Sequence, residues 1–141
     1  MPARDVPRAR VLIVDDDADA RWMTEQALRA DYAVLTAANG VDALAQARRA
    51  HPAVVVIDLT LGHDSGWNLI RALQEDAELA DVPVVVLTAA GPTPPPGVRP
   101  CAAYLTKPCS LLRLRTTLDR LVVERTTRTP KRDTTPGVLA R

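Results

Sequence analysis

Polar residues that can do chemistry follow four short apolar runs of this 141-residue chain: Asp15 and Asp16 follow "VLIV", Asp58 follows "VVVI", Thr88 follows "VVVL", and Lys107 follows "AYLT". If the runs are parallel β-strands, these residues lie at the carboxyl ends, where open α/β sheets bind ligands. Crowded carboxylates repel each other unless a cation joins them, and oxygen ligands of this kind suit Mg²⁺. The set therefore predicts phosphoryl chemistry, with one aspartate forming an acyl phosphate.

Asp58 is the candidate acceptor because it stands alone at its strand end, whereas Asp15 and Asp16 form a pair suited to a metal ion. Taken alone, the run from Asp15 to Asp17 is equally typical of a loop that caps a helix. Lys107 and Lys131 are the only lysines among 18 basic residues. Since the rest of the chain uses arginine, position 107 favours a compact ammonium beside a carboxylate, where a broad guanidinium would not fit.

Strands and helices must alternate along the chain to position these residues. Apolar, β-branched runs predict five strands, at residues 10–14, 32–37, 53–58, 83–88 and 102–106. Apolar residues three and four apart predict helices at 18–30, 40–50 and 66–76, and a last helix at 110–124 with Ser110 as its N-cap. Several strands are apolar at consecutive positions, as in a sheet covered on both faces. The fold class is therefore α/β, a doubly wound five-stranded parallel sheet.

Residues 91–100, "GPTPPPGVRP", stand where the pattern calls for a further helix between the fourth and fifth strands. Proline inside a helix removes a donor and clashes with the preceding turn, at a cost of ~3 kcal/mol or more each. We predict that a proline-rich loop, extended in part like polyproline II, replaces the fourth helix.

Composition and charge limit what else the chain does. A net charge of +1 gives no reason to expect nucleic acid or a membrane surface as a partner. The apolar runs fall short of the ~20 residues that cross a bilayer, and no signal-peptide pattern opens the chain, so a cytoplasmic protein is expected. Residues 9–124 form one domain in this interpretation, between a flexible N-terminus at 1–8 and a flexible Thr/Pro/Arg-rich tail at 125–141. A homodimer is compatible with the sequence.

The segments "VLIVDDD", "VVVIDLTLGHDSG", "VVVLTAA" and "YLTKP" together resemble the receiver domain of bacterial two-component response regulators, over residues 9–124. The resemblance implies the flavodoxin-like strand order 2-1-3-4-5 and a single-domain regulator like those of chemotaxis. It implies that Asp58 accepts a phosphoryl group from the phosphohistidine of a sensor histidine kinase or phosphotransfer protein. The protein would then signal to an unknown downstream protein through changed protein–protein binding, and not as an enzyme.

The resemblance also assigns the metal ligands. Asp16 would bind Mg²⁺ directly, Asp15 would assist through water, Asp58 would share the ion, and the backbone carbonyl of Thr60 would add an oxygen.

A switch is implied on the other side of the site. Thr88 and Lys107 would hold the phosphoryl oxygens, and the Lys107–Pro108 bond would be cis. Tyr104 matches the aromatic residue that turns inward when the threonine moves toward the phosphoryl group.

Three features depart from the family pattern, and two other functions stay open. Gly62 stands where a proline is usual, Cys109 where a bulky aromatic is usual, and the loop at 91–100 replaces the fourth helix. One alternative is a receiver-shaped interaction module that is never phosphorylated. The other is a phosphatase of the haloacid dehalogenase type, whose nucleophile motif Asp15-x-Asp17 resembles.

Overall fold

The computed structural model describes residues 8–59, 66–89 and 94–139, with side chains as far as Arg125. The N-terminal segment predicted to be flexible lies outside these residues apart from Arg8, and so do Thr60, Gly62 and the start of the proline-rich loop.

Five parallel strands form one sheet in the order β2-β1-β3-β4-β5, which confirms the predicted fold class and strand order. The strands are β1 (Arg10–Val14), β2 (Ala33–Ala37), β3 (Val54–Asp58), β4 (Val84–Thr88) and β5 (Ala103–Thr106). The helices are α1 (Ala18–Leu28), α2 (Gly40–Ala50), α3 (Gly66–Glu75) and α4 (Leu111–Leu139). Ser110 caps α4 as predicted, because its hydroxyl accepts a hydrogen bond from the Arg113 N–H at 3.0 Å.

The sheet separates two apolar cores. Alternate residues of β1, β3 and β4 point to opposite faces of the sheet. Because helices cover both faces, every residue of β3 is buried. One core packs against α2 and α3 and includes Leu12, Ile57 and Leu73. The other packs against α1 and α4 and includes Ile13 and Leu118. Burial on both faces explains why consecutive positions of the strands are apolar.

Helix α4 is longer than predicted. Its backbone continues past Glu124 to Leu139, through residues for which the sequence predicts a flexible tail. A nucleated helix gains a hydrogen bond with each added residue that carries an N–H, so continuation is less costly than a new start, although Pro130 and Pro136 within this stretch donate none. The predicted end at Glu124 is therefore wrong, while the division into a domain over 9–124 and a separate tail stays a prediction. Among the described residues, no helix is both long and apolar enough to cross a membrane.

The connection from β4 to β5 contains no helix between residues 94 and 100, as the sequence predicts. A turn interrupts its extended path, since the Val98 N–H donates to the Pro95 carbonyl at 3.2 Å. Pro96 and Gly97 are the central residues, and Gly97 has a φ of 90°. Proline followed by a glycine with positive φ is typical of a type II turn.

Candidate functional site

Three polar side chains are buried among the described residues, and all three come from the predicted set. Asp15 is 9% exposed, Asp58 2% and Thr88 7%. They stand at the carboxyl ends of β1, β3 and β4, which are neighbours in the sheet. Parallel pairing in register therefore brings these three polar groups to one edge of an otherwise apolar core.

Lys107, the residue directly after β5, also lies at this edge of the sheet. Its Nζ lies 2.5 Å from Oδ2 of Asp58, so the two side chains form a charge-assisted hydrogen bond. The backbone N–H of Lys107 donates to the Thr88 carbonyl at 2.7 Å, which extends the pairing of β4 with β5 by one residue. The Lys107–Pro108 peptide bond is cis, as the resemblance implies.

The Asp15 carboxylate is electrostatically strained. Burial raises its pKa above the ordinary value, and the charges of Asp58 and Asp16 raise it further. A hydrogen bond from the Asp17 N–H, at 3.0 Å from Oδ1, and the charge of Lys107 act in the opposite direction. Asp15 and Asp58 are therefore close enough to repel each other.

Asp17 has a structural task, in agreement with the helix-capping alternative for this run. It is the N-cap of α1, and its side chain accepts hydrogen bonds from the N–H groups of Asp19 and Ala20. Asp16 is exposed between Asp15 and this cap.

Arg21 is a part of this edge that sequence reasoning missed. Its guanidinium, on the first turns of α1, donates to the Asp15 carbonyl at 2.8 Å. Arg21 thus fixes the backbone of the loop that carries the aspartates. An arginine a few residues beyond an acidic loop is too common to have signalled this contact.

The residues present fit Mg²⁺ in part. Two carboxylates that raise each other's energy, Asp15 and Asp58, form a site in which a divalent cation would relieve the repulsion. Within the described ranges, no three Asp, Glu, His or Cys side chains are grouped closely enough to form a ready metal site. Mg²⁺ keeps several waters and needs only one or two carboxylates, so the pair suffices for the ion. The roles of Asp16 and of Thr60, which lies outside the described residues, stay predictions.

Tyr104 lies on β5, half-buried against the core formed with α2 and α3. Its hydroxyl accepts a hydrogen bond from the Cys101 N–H at 2.8 Å. In the sheet Tyr104 pairs with Val86, two residues before Thr88. Tyr104 is thus on the strand next to that of Thr88, the threonine with which the resemblance couples it.

A five-stranded doubly wound sheet with a buried aspartate and a lysine at its carboxyl edge defines a class of small α/β regulatory domains. The profile of the response regulator receiver domain matches residues 11–119. The chain therefore belongs to the receiver domain family, whose members are phosphoacceptor modules of two-component signalling that generally bind Mg²⁺ and interact with sensor histidine kinases and downstream effectors.

Similar proteins and structures agree with this family. Protein PilH of Pseudomonas aeruginosa is 37% identical over 81 residues, which are 57% of this chain and 67% of that protein. The probable transcriptional regulator ycf27 of Pyropia yezoensis is 35% identical over 85 residues, 60% of this chain but only 34% of that protein's length. The structure of the chemotaxis response regulator CheY4 of Vibrio cholerae superimposes with a TM-score of 0.71 at 30% identity, covering 81% of this chain and 98% of that one.

Proposed function

We propose that Asp58 accepts a phosphoryl group and that the protein signals through a changed surface for protein–protein binding. The observation that carries this proposal is the buried Asp58 carboxylate, whose Oδ2 lies 2.5 Å from Nζ of Lys107. The remaining oxygen attacks the phosphorus of a phosphohistidine, the P–N bond breaks, and its electron pair stays on the imidazole nitrogen. Lys107 then neutralises charge on the transferred group, and Thr88 donates its hydroxyl to it.

Asp58 is a better candidate than Asp15, the nucleophile that a phosphatase of the haloacid dehalogenase type would use. Lys107, the cation that would neutralise a transferred phosphoryl group, contacts the carboxylate of Asp58. The side chain of Asp17, which would complete that phosphatase motif, caps α1 instead. These contacts favour a phosphoacceptor over a phosphatase.

Mg²⁺ would be held by Asp16 and Asp58, with Asp15 assisting through water and the Thr60 carbonyl adding an oxygen. When bound, the ion supplies positive charge that neutralises the phosphoryl oxygens. Arg21 keeps Asp15 in place by holding its backbone carbonyl at 2.8 Å.

The donor in this proposal is a sensor histidine kinase or a phosphotransfer protein. Trp22 and Met23 on α1 are 62% and 58% exposed, and α1 begins directly after the acidic loop. Two large exposed apolar side chains beside the site suit a protein partner.

Nucleic acid is not a partner in this proposal, because the net charge of +1 gives no strong basic field and some arginines of α4 pair within the chain. Arg115 pairs with Asp31, Arg120 with Glu124, and Arg125 donates to the Asp81 carbonyl. We propose a cytoplasmic location for the protein.

The test is acyl phosphate formation from a small phosphodonor, such as acetyl phosphate, with Mg²⁺. Intact mass should rise by one phosphoryl group in the wild type and in Asp19→Asn, an exposed matched control, but not in Asp58→Asn. Phosphorylation of Asp58→Asn that is lost in Asp15→Asn would support the phosphatase alternative. A wild type that takes no phosphoryl group from the donor or from any kinase would support the unphosphorylated module.

A further inference from the structure

The loop that replaces the fourth helix is bound to α3. The Gln74 side chain pairs with both backbone groups of Arg99: its Nε2 donates to the Arg99 carbonyl at 2.9 Å, and its Oε1 accepts from the Arg99 N–H at 2.8 Å. The Arg99 guanidinium donates back to the Gln74 carbonyl at 3.4 Å. Arg71, one turn earlier on α3, donates to the Pro96 carbonyl at 3.2 Å. Backbone groups that a helix would have paired internally are thus paired with α3.

The same segment also holds Tyr104. Two residues after Arg99, the Cys101 N–H donates to the Tyr104 hydroxyl at 2.8 Å. The next residue, Ala102, donates to the Val84 carbonyl at 2.9 Å and so starts the pairing of β5 with β4. The Cys101 amide therefore lies between two fixed points, Gln74 on one side and β4 on the other.

We propose that Gln74 is a positioning residue for Tyr104 and that residues 99–101 link the orientation of the tyrosine ring to α3. When the ring turns, the Cys101 N–H loses its acceptor. The segment then loosens, and its pairing with Gln74 weakens. A signalling partner would read this change on the surface formed by α3 and residues 96–99. The inference rests on the proposed function, in which Tyr104 turns as Thr88 engages the phosphoryl group.

The chemistry of Gln74 fits this role. A side-chain amide both donates and accepts, so it can replace a missing backbone partner on each side of one peptide unit. Glutamate lacks the donor, and leucine lacks both groups, so substitutions can remove the two hydrogen bonds in steps.

The test is hydrogen exchange of single backbone amides, followed by NMR in the unphosphorylated protein. If the contacts are coupled, Gln74→Leu accelerates exchange at both Arg99 and Cys101, by about fivefold, the factor expected for one neutral hydrogen bond. Tyr104→Phe should accelerate the same two amides. Gln26→Leu, the same change on α1, should leave both unchanged. The proposal is overturned if each substitution accelerates only the amide that its own side chain contacts.

General destabilisation is recognised by the Val55 amide, which donates to the Pro83 carbonyl at 3.1 Å on the other side of β4. If Gln74→Leu also accelerates hydrogen exchange at Val55, the milder variant Gln74→Glu is tested in its place, because the carboxylate keeps the acceptor for the Arg99 N–H. Acceleration at Cys101 but not Val55 then supports the coupling, and wild-type exchange at Cys101 overturns it.

A second measurement tests transmission from the phosphorylation site. Beryllium fluoride with Mg²⁺, which mimics a phosphoryl group on a carboxylate, should accelerate exchange at both Cys101 and Arg99, and have no effect in Asp58→Asn. Acceleration at Cys101 alone would overturn the link to α3. Failure of Asp58 to accept any phosphoryl group would overturn the proposed function alone, because the first measurement needs no phosphorylation.

Discussion

The Lys107 ammonium reaches the Asp58 carboxylate from the side open to solvent: the lysine side chain is 38% exposed, and the aspartate side chain is 3% exposed. The proposed acceptor is thus buried in the sheet, while the ammonium that pairs with it stands at the surface. An incoming phosphoryl group can displace the ammonium from one carboxylate oxygen and keep it as a partner of its own oxygens.

Replacing Lys107 should slow phosphorylation without preventing folding. We expect Lys107→Ala to lower the rate of acyl phosphate formation from acetyl phosphate about 10²-fold, as for the loss of one charge-stabilising donor. Lys107→Arg should recover only part of this rate, because a guanidinium is broader than an ammonium. Lys131→Ala, at the only other lysine, is the control. Full activity of Lys107→Arg would show that charge alone matters.

Asp15→Asn should stabilise the fold and abolish its response to Mg²⁺. The raised pKa of Asp15 means that its charged form is disfavoured in the folded state at neutral pH, and asparagine retains the oxygen that accepts from Asp17. Without metal, the variant should therefore melt at a higher temperature than the wild type. Added Mg²⁺ should raise the melting temperature of the wild type only. An equal rise in both proteins would place the ion elsewhere.

Trp22→Ala should affect phosphotransfer from a histidine kinase but not phosphorylation by acetyl phosphate. Because Trp22 is exposed on α1 and is not one of the buried residues, acetyl phosphate should phosphorylate the variant at the wild-type rate. Phosphotransfer from a cognate histidine kinase should fall about tenfold or more, as for an interface anchor worth over 1 kcal/mol. The exposed Val123 on α4 provides a control, Val123→Ala. Equal loss with both donors would place Trp22 in the site's own structure.

Tyr32→Phe should reduce the loss of stability at alkaline pH. Burial raises the pKa of Tyr32, and its hydrogen bond to the Asp119 carboxylate raises it further. A raised pKa means that the tyrosine's contribution is complete below the unfolded value of about 10 and is lost as pH rises above it. Urea unfolding between about pH 9 and 11 should show a shallower decline for the variant. Tyr104 and Cys101, whose pKa values are also raised by burial, contribute to the remaining slope. An unchanged slope would contradict the assignment to Tyr32.

Gly97→Ala should destabilise the protein by about 1–2 kcal/mol, because the φ of 90° is one that L side chains rarely adopt. Gly40→Ala at the start of α2 should be neutral or stabilising, since alanine has the higher helix propensity. Chemical denaturation of both variants checks the difference.

Most of the fold and the centre of the site were predictable because their signals are local. The strands are short apolar runs, and Asp15, Asp58 and Thr88 come at their carboxyl ends. Parallel pairing places these ends along the same edge of the sheet, where the three side chains can meet. The five prolines clustered in residues 91–100 likewise disfavour a helix by their own chemistry.

The contacts that secure these elements were not predictable. Gln74 and Arg99 are 25 residues apart, and Tyr32 and Asp119 are 87 apart, so only the folded chain, which packs a helix against a loop in each case, brings them together. The length of α4 differs from the prediction: the local composition beyond Glu124, with Pro130 and Pro136, favours a tail, yet the helix that begins before it continues through it.

The order of the strands also determines at what point of its synthesis the chain holds both Asp58 and Lys107. Asp58 ends β3, which lies at the centre of the sheet, and Lys107 follows β5, which forms its edge. A growing chain that has emerged only as far as β4 holds the acceptor but not its cation. Under the proposed function, phosphorylation at the full rate therefore becomes possible only late in translation, and a truncated or half-made copy takes up the signal more slowly than finished molecules.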